Sequence, residues 1–152
     1  MKTLASNKRA FYDYQILEKE IAGIKLLGHE VKSVKQGQVS LKGAYVVFYK
    51  GEPYLVGANI PLYKHANTIS RRNYDPERMR KLLLTRKQIE KWATKRQAQK
   101  LVIVPLRVLL DRNLVKVEVA LAKPLRKYQK KTKAKERAEK RKQEREGKLL
   151  VG

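Results

Sequence analysis

The clearest hydrophobic pattern in the 152-residue chain lies in its last third. Over residues 115–122, branched apolar residues alternate with Lys, Glu and Ala, which is the period-two pattern of a strand with one buried face. The run at 101–110 is mostly apolar, and Asp-Arg-Asn at 111–113 separates the two runs. The pattern predicts an antiparallel hairpin, in which Pro105 marks an edge or a bulge because it has no N–H to donate.

A second hairpin is predicted at residues 44–60, where two β-prone runs flank the turn-forming sequence Gly-Glu-Pro at 51–53. The following segment, 61–76, contains two prolines and many polar residues, and we expect an exposed loop there. Pro76 then opens the run PERMRKLLL, for which we predict a helical turn.

The helix signal is strongest after residue 84. Thr85 and Gln88 have the spacing of a capping box. Ile89, Trp92 and Ala93 form a narrow apolar stripe on an otherwise cationic helix, so we expect this stripe to pack on the core.

The first forty residues carry a weaker pattern. Residues 1–10 are polar and basic, which suggests a short arm, and aromatic and branched residues at 11–17 favour a strand. From 19 to 28, apolar residues recur with helical spacing, and we predict a short helix that ends at Gly28. Residues 30–35 are too few and too rich in valine to favour a helix.

These elements predict a mainly β protein: an OB-fold-like antiparallel β-barrel packed with two or three helices and followed by a basic tail. We place the boundary after residue 124. Residues 1–124 then form the barrel with its short basic arm, and residues 125–152 form the tail.

Charge narrows the choice of partner. The chain has 37 Lys+Arg against 14 Asp+Glu, a formal net charge of +23. Because so much self-repulsion costs stability unless an anionic partner relieves it, we expect a nucleic acid or an anionic membrane surface. No segment has the roughly 20 apolar residues of a membrane span, and the N-terminus lacks the apolar region of a secretory signal. We therefore expect a cytoplasmic protein without a membrane partner.

Residues that carry catalysis or hold metals are sparse. There is no Cys, and His29 and His65 are the only histidines. Neither has an obvious carboxylate to orient it, and no phosphate-binding loop of the form G-x-x-x-x-G-K-[ST] occurs. The sequence favours a protein that is not an enzyme and that uses no cofactor or metal.

The tail is denser in charge than the rest of the chain. Residues 126–152 hold 12 Lys+Arg and 4 Glu, and between Tyr128 and Leu149 the only apolar side chains are those of Ala. Such a segment is expected to be disordered when free. Pairs of opposite charge at i,i+4 spacing, each worth about 0.2–0.5 kcal/mol, favour a helix once the tail lies against a polyanion. These pairs are Lys135–Glu139, Glu136–Lys140, Lys140–Glu144 and Lys142–Glu146.

Glu30 stands among lysines in the segment LGHEVKSVKQG. A carboxylate repels phosphate but accepts hydrogen bonds from base amino or imino groups, so Glu30 could select the partner while neighbouring lysines hold its backbone. The alternatives are a salt bridge to Lys32 and a cap near Gly28, and the sequence leaves all three open.

Tyrosine offers another way to bind RNA, because its ring can stack on unpaired bases. The chain has eight tyrosines. We expect those within strands to be core residues, and we expect Tyr63, Tyr74 and Tyr128 to be exposed.

Five segments resemble the SsrA-binding protein (SmpB) family, in order and over nearly the whole chain. They are NKRA at 7–10, DYQILEKEIAGIKLLGHEVKS at 13–33, GANIPLY at 57–63, DPERMRKLLL at 75–84 and VKVEVALAK at 115–123. The resemblance implies an RNA-binding adaptor with an OB-like barrel. This adaptor binds the tRNA-like part of transfer-messenger RNA and delivers it to stalled ribosomes for trans-translation rescue, together with an elongation factor that carries the RNA.

The resemblance also implies a tail that occupies the empty decoding site and the mRNA channel of the small ribosomal subunit, and no catalysed reaction. We expect the free protein to be a monomer. A structural ribosomal protein and an RNA-processing enzyme are the alternatives. A high-salt wash of ribosomes would retain the former, and RNA turnover would reveal the latter.

The resemblance carries the family's contact positions onto this chain. The RNA-binding positions are Asn7, Lys8, Arg9, Glu30, Lys32, Arg80, Lys81, Leu84, Lys116 and Lys123. The decoding-site positions in the tail are Arg126, Lys127, Tyr128, Lys130, Lys131, Lys133 and Arg137. The tail departs from the family's pattern G-K-K-x-x-D-K-R at Pro124, Leu125, Gln129 and Lys131, and Pro124 stiffens a hinge that Gly would loosen.

Overall fold

The computed structural model describes residues 1–126. Seven strands and four helices follow one another along this part of the chain. They are β1 (Lys2–Ser6), α1 (Lys8–Asp13), β2 (Tyr14–Ile24), α2 (Gly28–Lys35), β3 (Tyr45–Tyr49), β4 (Glu52–Val56), α3 (Thr68–Arg71), β5 (Arg80–Leu83), α4 (Arg86–Gln99), β6 (Val102–Asp111) and β7 (Leu114–Pro124).

Six of the strands close into an antiparallel barrel in the order β6-β3-β4-β5-β2-β7, with β7 pairing back to β6. β1 lies outside this ring and pairs with β6. The pairing of β3 with β6 is the weakest seam, because it consists of the single pair Val46↔Ile103. The predicted fold class is confirmed, with four helices in residues 1–126 where we predicted two or three.

The apolar side chains form two clusters on opposite sides of the β6–β7 sheet. The larger fills the barrel, with members such as Leu55, Leu82 and Ile103, and α4 adds the buried Trp92 to it. The smaller lies outside the barrel, where Ala10 of α1 meets residues of β6 and β7. α1 therefore covers an outer face of the barrel instead of extending away from it.

Three predictions from local signals are confirmed. Both hairpins form, as β3–β4 and β6–β7. In the capping box at the start of α4, the Gln88 N–H donates to Thr85 Oγ1 at 3.2 Å, and the Thr85 N–H donates to Gln88 Oε1 at 2.9 Å. Pro105 lies at a register shift of the β6–β7 pair, which is the predicted bulge.

The turn of the first hairpin differs from the prediction. Lys50 and Gly51 both have positive φ, of 51° and 77°, whereas Glu52 and Pro53 belong to β4. Two central residues with φ above zero match the twist of a two-residue hairpin, and the Gly at the second position makes this turn accessible.

The predictions for the first forty residues were wrong. The expected arm is β1, and the expected strand at 11–17 is split between α1 and β2. Most of the expected helix at 19–28 is the second half of β2, which ends at Ile24, and Gly28 begins a helix instead of ending one. The valine-rich segment at 30–35 is helical because it forms the rest of α2.

The run PERMRKLLL is not a helical turn either. Its second half is β5, which fills the gap between β4 and β2 in the ring. The preceding loop, predicted at 61–76, contains the short helix α3.

At its C-terminal end, the described chain remains tied to the barrel. The Leu125 N–H donates to the Asp13 carbonyl oxygen at 3.0 Å. The predictions for the tail from residue 127 onward lie outside the described residues. Within residues 1–126, no helix combines the length and the apolarity needed to cross a membrane.

Candidate nucleic-acid interface

Glu30 is the centre of a buried polar network. It lies in the first turn of α2, where its Oε1 accepts a hydrogen bond of 2.7 Å from the Leu27 N–H and so caps the helix. The residue is 0% exposed. A buried carboxylate is stable only if its charge and lone pairs are satisfied, so its partners decide whether α2 can pack here.

Two arginines and a tyrosine satisfy the carboxylate. Arg80 donates to Glu30 Oε2 from Nε at 2.9 Å and from Nη2 at 2.6 Å. Arg78 donates to both carboxylate oxygens. The Tyr74 hydroxyl lies 2.8 Å from Oε2. Charge-assisted bonds of this forked kind are among the strongest in proteins.

Arg80 extends the network into the backbone. It is also 0% exposed, and it donates to the carbonyl oxygens of Ala58, Arg78 and Pro76 at 2.9, 3.1 and 2.9 Å. One guanidinium thus joins α2, the residues after β4 and the approach to β5. Its contacts fix the path of the loop between β4 and β5.

The pKa values of this network follow from its geometry. Burial alone would raise the pKa of Glu30, but hydrogen bonds from Arg78, the Leu27 N–H, Arg80 and Tyr74 outweigh it and lower this pKa to about 2. Burial and the bond to Glu30 raise the pKa of Tyr74 to about 12. At neutral pH, Glu30 is therefore ionised and Tyr74 keeps its proton.

This geometry corrects the prediction that Glu30 reads a base. The carboxylate faces inward and its oxygens are occupied, so it offers no acceptor to a ligand at the surface. Of the two alternatives, the cap near Gly28 is confirmed, whereas the ion pairs are made with Arg78 and Arg80 and not with Lys32.

Arg80 and Asn7 are corrected in the same way. The Arg80 guanidinium donates its hydrogen bonds to Glu30 and to nearby backbone carbonyls. Asn7 is buried and caps α1 by accepting the Ala10 N–H at 3.3 Å, while its amide donates to the Pro105 carbonyl at 2.9 Å. Leu84 is partly buried against the barrel core. In the free protein, Arg80 and Asn7 are buried and Leu84 is partly buried. These three side chains stabilise the elements that carry the surface residues and are not themselves exposed to a ligand.

Four predicted contact residues lie on α1 or near the C-terminal end of β7. Lys8, Arg9, Lys123 and Arg126 are exposed. The two segments are neighbours because Tyr14, just after α1, pairs with Pro124 at the end of β7. We call this set the α1 cation group.

The other predicted cations lie elsewhere. Lys32 is exposed on α2, and Lys81 on β5 lies 3.7 Å from Glu52. Lys116 lies 3.6 Å from Asp111 at the opposite end of β7 from Lys123, which seven residues of strand place about 23 Å away. The predicted positions therefore do not form a single patch.

The sequence reasoning missed a second cluster, in which one carboxylate is bound by an indole and two lysines. Glu18 of β2 accepts a hydrogen bond of 2.9 Å from Trp92 Nε1 and one of 2.6 Å from Lys95, and Lys91 lies 3.3 Å away. The hydrogen bond from Lys95 is the main cause of the lowered pKa of Glu18. The cluster attaches α4 to β2. Within residues 1–126, no three His, Cys, Asp or Glu side chains are grouped to hold a metal.

The fold and these clusters define a small, strongly basic antiparallel barrel protein. Buried ion pairs at Glu30 hold α2 in place, and α2 carries exposed cations such as Lys32. The chain belongs to the SmpB family, since the family model described as SmpB protein matches residues 4–149. The resemblance seen in the sequence is thereby confirmed.

Named relatives and a solved structure agree with this assignment. The chain is similar to the SsrA-binding protein of Syntrophobacter fumaroxidans, with 43% identity over 92% of this chain and 85% of the relative. It is also similar to the SsrA-binding protein of Sulfurihydrogenibium sp., with 46% identity over 92% and 90% of the two chains. A solved structure described as "tmRNA-SmpB: a journey to the center of the bacterial ribosome" matches with a TM-score of 0.65 and 37% identity, over 84% of this chain and 91% of that chain.

Proposed function

We propose that this protein is an RNA-binding adaptor that binds the tRNA-like part of transfer-messenger RNA and delivers this RNA to stalled ribosomes for trans-translation. The observation that carries the proposal is the similarity, over most of both chains, to a solved structure. The description of that structure names transfer-messenger RNA, SmpB and the bacterial ribosome. Membership of the SmpB family supports it. The protein works in the cytoplasm, by binding and without catalysis.

The proposed contacts with RNA phosphates are Lys8, Arg9 and Lys123 of the α1 cation group, together with Lys32. All four side chains are exposed, and lysine and arginine supply affinity by neutralising phosphates. Glu30 and Arg80 serve this surface indirectly: they hold α2, and with it Lys32, against the loop that precedes β5. They are positioning residues in this proposal.

The division of labour follows the proposed boundary after residue 124. The barrel binds the RNA, and the tail occupies the decoding site and the mRNA channel through Arg126 and the cations that follow. An elongation factor that carries the RNA is a further partner.

The first test is a binding measurement. We expect the full chain to bind the tRNA-like part of transfer-messenger RNA more tightly than an unrelated hairpin RNA of equal length at the same salt concentration. Equal affinities would contradict the proposal, because the charge alone binds any RNA.

The second test separates binding from delivery. A chain truncated after Leu125 is expected to bind the free RNA as the full chain does, yet to lose tagging on ribosomes stalled at the end of a message. Retained tagging would contradict the role of the tail. A wash at high salt should release the full chain from ribosomes, whereas a permanent ribosomal component would stay bound.

A further inference from the structure

Two tyrosines expected in the core lie on the surface instead. Tyr45 and Tyr49 of β3 are 47% and 52% exposed. The Tyr54 ring of β4 lies beside that of Tyr49, edge to face, with 6.1 Å between the ring centroids. Because exposed apolar surface that is contiguous marks an interaction site more often than scattered residues do, this arrangement calls for a partner.

Strand alternation explains why these rings share one face. Val46 and Leu55 point into the barrel core, so their neighbours along β3 and β4 point outward. Tyr54 stands opposite Val47 on one side and Lys81 on the other. The outer face of the hairpin is thus an aromatic surface bordered by a lysine.

The same face continues into a groove at the weak seam of the barrel. A cleft of about 400 Å³ opens between α1 and β3, where β3 pairs with β6 at only one position. The residues that line it include Tyr14 and Tyr45 and the cations Arg9, Lys42 and Arg96. Asp13, the acid in this lining, lies 3.1 Å from Arg9.

Charge identifies the partner as anionic. Lys50 at the hairpin turn places its Nζ 5.4 Å from the centroid of the Tyr49 ring. Glu52 is the acid on the hairpin face, and it is paired with Lys81 at 3.7 Å. Aromatic rings beside a cationic groove suit a chain that carries both phosphates and exposed bases, which is single-stranded nucleic acid. A duplex stacks its bases internally and would leave these rings unused.

We propose that the seam groove and the outer face of β3–β4 form a second RNA site, which binds unpaired nucleotides. Arg9, Lys42 and Arg96 hold the phosphates, and the bases stack on Tyr45 and Tyr49. Of these five residues, only Arg9 is among the contacts carried over from the family. The site therefore extends the proposed function and does not depend on recognition of the tRNA-like part.

The test compares single-stranded probes on the full-length protein. Fluorescence anisotropy would measure binding of an oligouridylate of about ten nucleotides and of an abasic ribose-phosphate chain of the same length. Tyr45→Ala with Tyr49→Ala should weaken binding of the oligouridylate by about 5- to 150-fold for each stacked base. Binding of the abasic chain should stay unchanged.

Two matched controls separate stacking from folding. Tyr45→Phe with Tyr49→Phe keeps the rings and should bind the oligouridylate as the original chain does. Leu114→Ala, at another exposed apolar position, should also leave this affinity unchanged. The double variant Lys42→Gln with Arg96→Gln should weaken binding of both probes, because phosphate contacts are lost. It should also reduce the dependence of the affinity on salt.

Each outcome decides the proposal. If the oligouridylate and the abasic chain bind the original protein equally, or if the double Ala variant binds the oligouridylate normally, the second site is wrong. If the double Ala variant no longer binds the tRNA-like part of transfer-messenger RNA, the proposal is also overturned, because the face would then belong to that interface. Capture of a protein on this face, without effect on the oligouridylate, would show a docking surface of another class. The proposed function fails separately, if the original chain does not prefer the tRNA-like RNA.

Discussion

Glu30 and Glu18 are two carboxylates with the same set of neighbours in different surroundings. Each is bound by two cations and by the polar hydrogen of an aromatic side chain, all from distant parts of the chain. Glu30 is fully buried and its cations are arginines, whereas the side chain of Glu18 is 28% exposed and its cations are lysines.

Burial explains both the choice of cation and the consequence of losing it. Without water, every lone pair of Glu30 needs a protein donor, and the planar fork of arginine supplies two donors in fixed geometry. Where water shares the work, as at Glu18, a lysine that acts as a point charge is sufficient. The two sites should therefore respond very differently to the same substitution.

The largest contrast is expected from removing the charge. Glu30→Gln leaves Arg80 buried without its counter-ion and should lower the free energy of unfolding by about 3–5 kcal/mol. The measurement is urea denaturation of the two variants, with Glu18→Gln as the matched control, for which a loss of about 1 kcal/mol or less is expected. Equal losses in the two variants would remove burial as the explanation.

Acid should distinguish the two sites next. The folded-state pKa of Glu30 is about 2, below its ordinary value of 4.5, so the stability it contributes is present above about pH 4.5 and is lost as pH falls toward about 2. The difference corresponds to about 3 kcal/mol. Thermal melts at a series of pH values should show a flatter acid limb for Glu30→Gln than for Glu18→Gln, and parallel limbs would contradict the assigned pKa.

An intermediate effect is expected at the aromatic donor of the second site. Trp92→Phe keeps an aromatic ring in the barrel core but removes the N–H that binds Glu18 at 2.9 Å. We expect a loss of about 1.5–3 kcal/mol, the range for a hydrogen bond to a charged group. Pairing this variant with Glu18→Ala, which removes the acceptor, in a double-mutant cycle would measure the coupling directly, and additive losses would show that the hydrogen bond contributes nothing.

The smallest effect should come from the exposed cation. Lys95→Ala removes one of the two lysines at Glu18, and Lys91 remains 3.3 Å away. A loss of about 0.2–1 kcal/mol is expected, and it should shrink as salt is added. A larger loss that salt does not change would indicate that Glu18 is as poorly hydrated as Glu30.

Local signals predicted the parts of the fold that local interactions decide. The capping box of Thr85 and the alternation of β7 each lie within a few residues, and both were interpreted correctly. In β2, Glu18 and Glu20 occupy half-buried positions, whereas Ile21 is 40% exposed. The apolar residues of this segment therefore do not mark one face of the strand, and their spacing resembled that of a helix.

The interior of the candidate site could not be predicted for a different reason. Arg78 and Arg80 bind a carboxylate that lies 48 and 50 residues earlier in the chain. Leu27, at the helix N-cap, lacks the side-chain oxygen that would have identified a capping box around Glu30. In contrast, the exposure of Lys8, Arg9 and Lys123 follows from charge alone, and the structure places all three side chains at the surface.

The order of strands has a consequence for how this protein is made. β1 and β2 emerge first during synthesis, but they pair with β6 and β7 near the other end of the described chain. Closure therefore waits for almost the whole barrel to be translated, and contacts of such long sequence separation are slow to form. A message cut short before the codons of β7 would yield a nascent chain in which the β2 edge is unpaired. In this protein, an incomplete product therefore cannot close the barrel.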